Sequence, residues 1–486
     1  MLEIDSAPRC RALGRFSHHV FWCLWAVIVV IAAAFYYPKA ADHRSAFVRW
    51  RPQVLKFWEG TNIYDKMLFP NPPILPITLG PLMALPPVAG AMTWFAIKVA
   101  LTTIALTMCL NVVKIRDGPF PPFFLSAILL LSLRPILGDL HHGNINLLIL
   151  FLIVAMFQAW RQGHDVLAGL LLGLAISYKV TPALFMPYFV YKRSWRTVGS
   201  TLLGLVLFLL VVPSLIVGPR FNFDCLSMWW HRMLTPFLVE GNTSPQEINQ
   251  SMVGVLTRLL TEIPPGTNRY DLHLDVNVVS WPPQVVSYLV KCITLVLVGL
   301  LAFFCRTRAQ DRRDPRYLGE VALVVLTMLF VSERSWKHHF VTLLLPYTFL
   351  VWELYFPATK PRSRLAIGGM LLLSFLFMAT TSTELGGLFA DGRGHEIAQG
   401  YGLFLWAAVV LYVAVAWRLR ARGCESTAAL MPAGPGLTPH LAYWKGGNES
   451  DRIECCSREE RTGPGDRERP IKKESARSAG ARPFNE

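Results

Sequence analysis

Four clusters of polar side chains interrupt a chain that is otherwise built from long apolar runs. The first is Asp42-His43-Arg44, with Tyr64 and Asp65 downstream. The second begins at Arg134 and runs through Gly138-Asp139 to His141-His142-Gly143-Asn144-Ile145-Asn146. The third is Lys179, three residues before Pro182. The fourth is Ser332-Glu333-Arg334-Ser335-Trp336-Lys337-His338-His339. Ionisable groups inside membrane segments or at their ends are costly to keep, and by default they mark functional sites. An aspartate can take the proton of an incoming hydroxyl. Arginine, lysine or histidine can hold a leaving phosphate and offset its developing charge. These residue types together suit group transfer from a phosphate-linked donor at a membrane surface.

Each cluster alone has a plainer reading. A carboxylate such as Asp42 at a helix end is commonly a solvated charge or a cap. His141-His142 can be simple loop polarity, and Lys179 can snorkel to the interface. Adjacent histidines are poor joint metal ligands, because helical neighbours point to different faces, so no metal site is expected. The joint case is stronger, because the first, second and fourth clusters fall on one side of the membrane map and can line a single cavity. The chain shows no P-loop, no G-x-G-x-x-G at a strand-helix junction, no D-x-D pair and no G-x-S-x-G elbow, which argues against nucleotide-sugar and serine-hydrolase chemistry.

The elements that must position these residues are membrane helices. Of 486 residues 53% are hydrophobic and only 16% charged, whereas soluble domains run near a quarter charged. Residues 19–37 carry no Lys, Arg, Asp or Glu and are long enough to cross a bilayer core of roughly 30 Å, so they read as a retained anchor. Asp42 lies just beyond them. Further apolar stretches recur near 92–113, 119–137, 145–160, 165–190, 197–218, 284–305, 317–333, 338–356, 364–381 and 400–420. Lys179 and Pro182 break the 165–190 run into two short pieces, which brings the total to about 12 crossings. The net charge of +15 sits largely in short loops such as Lys192-Arg193 and Arg312-Arg313. It therefore reads as a topology determinant and not as a nucleic-acid surface; both termini are expected in the cytosol of a cell-membrane protein.

This map gives a cytosolic N-terminus at 1–18, a multi-pass domain at 19–420 and a disordered cytosolic tail at 421–486. Outer loops are expected at 38–72 and 219–283, with short outer turns around 138–144 and 332–337 and a further outer segment at 382–399. Within the first loop, Phe47, Trp50, Val54, Leu55 and Trp58 share one helical face, the pattern of a helix lying among lipid headgroups. The Pro-rich run 70–87 is too broken for an ordinary span and is expected to be buried against protein. Nine scattered cysteines indicate neither a disulfide framework nor zinc.

At these clusters the chain resembles the polyprenyl-phosphate-mannose-dependent mannosyltransferases of glycosyltransferase family 87, a GT-C-type membrane fold. An early aspartate is followed by Gly60-Thr61-Asn62-Ile63-Tyr64, then Phe69-Pro70-Asn71-Pro72-Pro73. Gly143-Asn144-Ile145-Asn146 is similar to the family's G-Q-x-N turn, and Ala168 to Pro182 to its A-G-x-x-x-G…K-x-x-P span. Asn249-Gln250-Ser251 resembles an N-Q-S turn, and Ser335-Trp336-Lys337-His338-His339 an S-W-x-H-H turn. The likeness runs from about residue 35 to 350. It implies an all-α polytopic fold with the active site on the outer face. It further implies that Asp42 is the base for the acceptor hydroxyl and that Lys179 with His338 or His339 lies near the donor phosphate. Arg334, His142, Asn144 and Asn146 complete the candidate binding set. Inversion at the sugar and no metal cofactor follow from the same resemblance. Asn144 stands where the family has Gln, and Glu333-Arg334 replaces a Pro-containing approach to Ser335-Trp336.

The expected activity is transfer of a hexose, mannose first, from polyprenyl phosphate to a lipid-linked or glycan acceptor. Another donor sugar such as arabinofuranose belongs to the same chemistry. A transporter or flippase of lipid-linked sugars would also suit broken spans with a lysine between them, although the halves show no internal repeat. A ligase joining preassembled glycans is the third possibility.

Overall fold

A computed structural model describes residues 7–113, 123–239, 241–263, 275–307, 311–356 and 359–428; the expected tail at 421–486 lies almost wholly outside the described residues. Residues up to Ala421 form one compact unit. Among the described residues there are helices and turns and no strand, as apolar runs in lipid require, because every backbone group must be satisfied within its own segment.

The chain begins with α1 (Ala7–Ala41), α2 (Ala46–Trp58), α3 (Ile74–Ala84), α4 (Pro87–Val113) and α5 (Phe124–His142). It continues with α6 (Asn146–Arg161), α7 (Asp165–Tyr178), α8 (Phe185–Tyr191) and α9 (Trp195–Val217). Then follow α10 (Pro219–Trp229), α11 (Met252–Leu260), α12 (Pro283–Phe304), α13 (Arg316–Val331), α14 (Leu344–Tyr355), α15 (Pro361–Thr380) and α16 (Leu403–Ala428). Among the described residues seven helices are long and apolar enough to cross a bilayer, namely Phe16–Ala41 of α1, then α4, α5, α9, α12, α15 and Leu403–Arg422 of α16. The sequence map expects about 12 crossings. The other five expected pieces are α6 and α7, of 16 and 14 residues, the seven-residue α8, and α13 and α14, of 16 and 12. Helices α6, α13 and α14 are buried almost throughout and α7 over most of its length, while α12 leaves side chains such as Leu295 exposed, as a lipid-facing span does.

Three local expectations change. The polar turn at 138–144 is shorter, because α5 runs on through Asp139 to His142 and turns only at Gly143, with φ +79°. The helix continues there because Asp139 finds a buried cation in α4. The apolar face of the first loop packs partly inward: Phe47 and Val54 are buried and Trp50 and Leu55 half-buried, while Trp58 stays exposed although its Nε1 donates to the Pro76 carbonyl at 3.1 Å. The 219–283 segment carries the helices α10 and α11, so it is a folded element. As the sequence indicates, 70–87 yields a short buried helix, α3, and the 165–190 run breaks at Lys179.

Candidate active site

Two caps set back to back fix Asp42. The Arg44 N–H bonds the Lys39 carbonyl at 3.0 Å and the His43 N–H bonds the Ala40 carbonyl at 3.2 Å, with His43 at φ +56°. This is a Schellman closure of α1 in which Asp42 is the last half-helical residue. Ser45 then caps α2, its hydroxyl accepting from the Val48 N–H at 3.3 Å. The Asp42 carboxylate pairs with Arg44 at 2.8 Å and is 57% exposed. An anion at a helix C-terminus faces the negative end of the helix dipole, so Asp42 gains nothing from α1 by standing there. Three residues earlier, Lys39 Nζ lies 3.3 Å from His141 Nδ1, which joins this turn to the end of α5.

The α5–α6 corner is built around Asp139. Its Oδ1 accepts from Lys98 Nζ at 3.1 Å, and both side chains are fully buried. Its Oδ2 accepts from the Asn146 N–H at 3.2 Å and from Asn146 Nδ2 at 3.0 Å, so it also serves the start of α6. Gly143 allows the turn, since a Cβ there would sit 2.9 Å from the Tyr36 hydroxyl and 3.3 Å from the Phe47 nitrogen.

The break after α7 has a definite cause. In a continuing helix the Tyr178 carbonyl would accept from residue 182, but Pro182 has no N–H. Asn71 Nδ2 takes that carbonyl instead, at 2.9 Å, and Asn71 is held in turn by the Tyr64 hydroxyl on its carbonyl at 2.9 Å. Lys179 is therefore extended, at φ −157° and ψ +127°, and its Nζ donates to Asn146 Oδ1 at 2.6 Å.

The 332–339 turn is clamped by the long segment. Asn249 Oδ1 accepts from the Ser335 N–H at 3.1 Å, the Gln250 N–H donates to the Ser335 carbonyl at 2.7 Å, and Ser251 Oγ donates to the Glu333 carbonyl at 3.1 Å. Buried Arg258 donates to the carbonyls of Asn249, Gln399 and Gly400; burial pulls its pKa down to about 9. Burial pushes Glu333 up to about 6, against the opposing charge of Arg334. Burial, and then the charge of Arg134, hold Lys337 below the usual lysine range, while Glu384 acts the other way.

The last three of these pieces line one narrow cleft. Asn146, Lys179 and His339 line it with Thr181, Ser332, Ser335 and Thr342, and Ile149, Met328 and Leu329 supply its apolar wall. Beside it, Asn144 Nδ2 lies 3.1 Å from His338 Nε2, and the His338 ring stacks on His142 with centroids 4.6 Å apart. Of the residues singled out from sequence, Lys179, His339 and Asn146 line the cleft, and His142, Asn144 and His338 form its next layer. Asp42 and Arg334 are exposed and outside the lining. Lys98 and Thr342 escaped sequence reasoning, and Asn71, Ser332 and Ser335 entered it only as members of motifs. Lys98 did leave a signal, as a lone cation inside the apolar run 92–113.

Fold and site together define a helical, multi-pass membrane protein with a cleft where α6, α13 and two turns bring Asn146, Lys179 and His339 together. The chain belongs to glycosyltransferase family 87, a membrane family of GT-C type, whose model matches residues 69–333. Asp42, Arg334, His338 and His339 fall outside that segment. Among curated relatives, two proteins of Mycolicibacterium smegmatis are similar. A polyprenol-phosphate-mannose-dependent alpha-(1-2)-phosphatidylinositol mannoside mannosyltransferase is 26% identical over 57% of this chain. A polyprenol-phosphate-mannose-dependent alpha-(1-2)-phosphatidylinositol pentamannoside mannosyltransferase is 28% identical over 58% of it. The chain spans 60% and 58% of the length of these two. A Mycobacterium tuberculosis relative with the first of these names is 24% identical over 89% of this chain and 99% of its own length. No solved structure matches the chain.

Proposed function

We propose that the chain transfers a hexose, mannose first, from a polyprenyl phosphate to a lipid-anchored glycan such as a phosphatidylinositol mannoside. One observation carries this reading: three motifs far apart in sequence share one cleft, namely the Asn146 corner, Lys179 and the His338-His339 turn. Its chemistry is that of an anion site with an apolar wall, suited to a phosphate esterified to a hydrocarbon chain. The similarity to relatives named for a polyprenol-phosphate-mannose donor supports the same donor here.

In this reading the acceptor hydroxyl approaches the anomeric carbon from the face opposite the phosphate. The Asp42 carboxylate takes the hydroxyl proton as the new C–O bond forms, and the bond to the phosphate oxygen breaks with its electron pair leaving on phosphate. Lys179 and His339, backed by His338, hold the phosphate as its charge grows. Asn144, Asn146, His142 and Arg334 complete the binding set. The positive-inside bias of the loops supports a site on the outer face with both termini in the cytosol.

The test supplies membranes containing the protein with labelled mannose on polyprenyl phosphate, or on a nucleotide, together with lipid acceptor. The reading predicts a labelled glycolipid from the lipid-linked donor only. Labelled donor crossing the bilayer without a covalent product would replace it with transport, which the broken span at Lys179 also suits.

A further inference from the structure

The transferase reading leaves the Lys98–Asp139 pair behind the cleft without a role, and the inference here rests on that reading. Both side chains are fully buried, so together they form a closed, neutral unit. Lys98 Nζ also donates to the Asp139 backbone carbonyl at 2.7 Å, which fixes the pair to α5. The second carboxylate oxygen receives both the backbone N–H and the Nδ2 of Asn146. An amide has one donating and one accepting end. Committing Nδ2 to Asp139 leaves Oδ1 as the end that meets Lys179 Nζ, at 2.6 Å.

The partner chosen for Lys179 is therefore a neutral oxygen, although a carboxylate lies one side chain further on. A direct carboxylate contact would anchor the ammonium equally well and would cancel its charge at the cleft. We infer that Lys98 and Asp139 are positioning residues, which set the Asn146 amide so that Lys179 presents an uncancelled positive charge to the phosphate of the lipid donor. Asn146 acts as a spacer that orients the cation without discharging it.

The full chain, purified in detergent, tests this with a short-chain polyprenyl-phosphate mannose and a lipid acceptor, measuring kcat and KM for each substrate. Asn146→Asp puts a carboxylate oxygen against Lys179 but turns its other oxygen toward Asp139 Oδ2, so it is combined with Asp139→Asn, whose amide supplies the donor that this contact needs. In this double variant the donor kcat/KM should fall by about tenfold or more while the acceptor KM stays within about twofold. Asp139→Asn alone should move the same constants in the same direction. Glu353→Gln, which breaks a buried pair with Arg418 at 2.8 Å elsewhere in the protein, should lower yield and leave both constants of the folded protein within about twofold.

An unchanged donor constant in the double variant, or donor and acceptor constants falling together, would overturn the inference. Should Asp139→Asn alone fail to fold, the double variant decides. Binding of a polyprenyl monophosphate, followed by tryptophan fluorescence, separates this inference from the transferase reading. Wild-type protein that makes no product rejects that reading. The positioning role then stands if the double variant weakens this binding by about tenfold, and falls if binding is equal.

Discussion

At one end of α6 and α7, Lys192 is sealed. Its Nζ lies 2.6 Å from the Glu320 carboxylate, both side chains are fully buried, and it also donates to the carbonyls of Cys305 and Thr307. Arg316 and the Tyr188 hydroxyl share the same carboxylate. Close by, Arg312 pairs with Asp165, and Arg161 is spent on the backbone carbonyls of Val112, Arg312 and Arg313. At the other end of the same two helices, Lys179 rests on an amide oxygen and Lys39 on an imidazole. The first end closes its charges on carboxylates and carbonyls. The second end also pairs Lys98 with Asp139 and Arg44 with Asp42, but it leaves Lys179, at the cleft, and Lys39 on neutral groups. Charge that is placed but left uncompensated is what an anionic substrate requires, so the difference between the ends, more than the number of cations, locates the site.

The comparison sharpens most at Glu320. Removing its charge with Glu320→Gln leaves Lys192 buried against an incomplete partner, and breaking a buried pair costs about 3–5 kcal/mol. Denaturant titration should show that loss, while transfer per folded molecule stays near wild type. A specific loss of transfer without a loss of stability would erase the distinction between the two ends. Asn71→Ala strands the Tyr178 carbonyl that Pro182 has already deprived of a donor, at a cost of about 1–3 kcal/mol. It should also loosen Lys179, so donor KM should rise along with the drop in thermal midpoint.

Glu333 gives the smallest effect. Its folded pKa of about 6 exceeds the ordinary 4.5, so the folded state favours the protonated acid. Its stabilising contribution is present below pH 4.5 and is lost as pH rises through 6. Melting curves across that window should slope in that sense and flatten in Glu333→Gln, by no more than about 2 kcal/mol.

Much of this was legible in sequence for local reasons. The charge-free run before Asp42 could only be a span, and Lys179 with Pro182 marked a broken one, because proline deletes a donor whatever surrounds it. What could not be read depends on distant partners. Asp139 lies within a helix because Lys98 meets it from 41 residues away, whereas a polar run considered alone reads as a turn. The apolar face of α2 would suit lipid or protein equally, and only the fold shows Phe47 and Val54 buried while Trp58 stays exposed. Length and composition alone pick out seven helices, because buried helices such as α6 and α7 are as apolar as the long spans but shorter. The clamp of Asn249 on Ser335 joins residues 86 apart and carries no periodic signal.

Asp42 is the residue on which the account turns, since it stands exposed at the unfavourable end of a helix dipole and outside the cleft lining. Its replacement in Asp42→Asn should leave stability within about 0.5 kcal/mol. The direct measurement is transfer of labelled mannose from polyprenyl-phosphate mannose into lipid by equal amounts of inserted wild-type and Asp42→Asn protein. The account predicts product from the wild type and a loss of about 10²- to 10⁴-fold in the variant; equal product from both would remove Asp42 as the base.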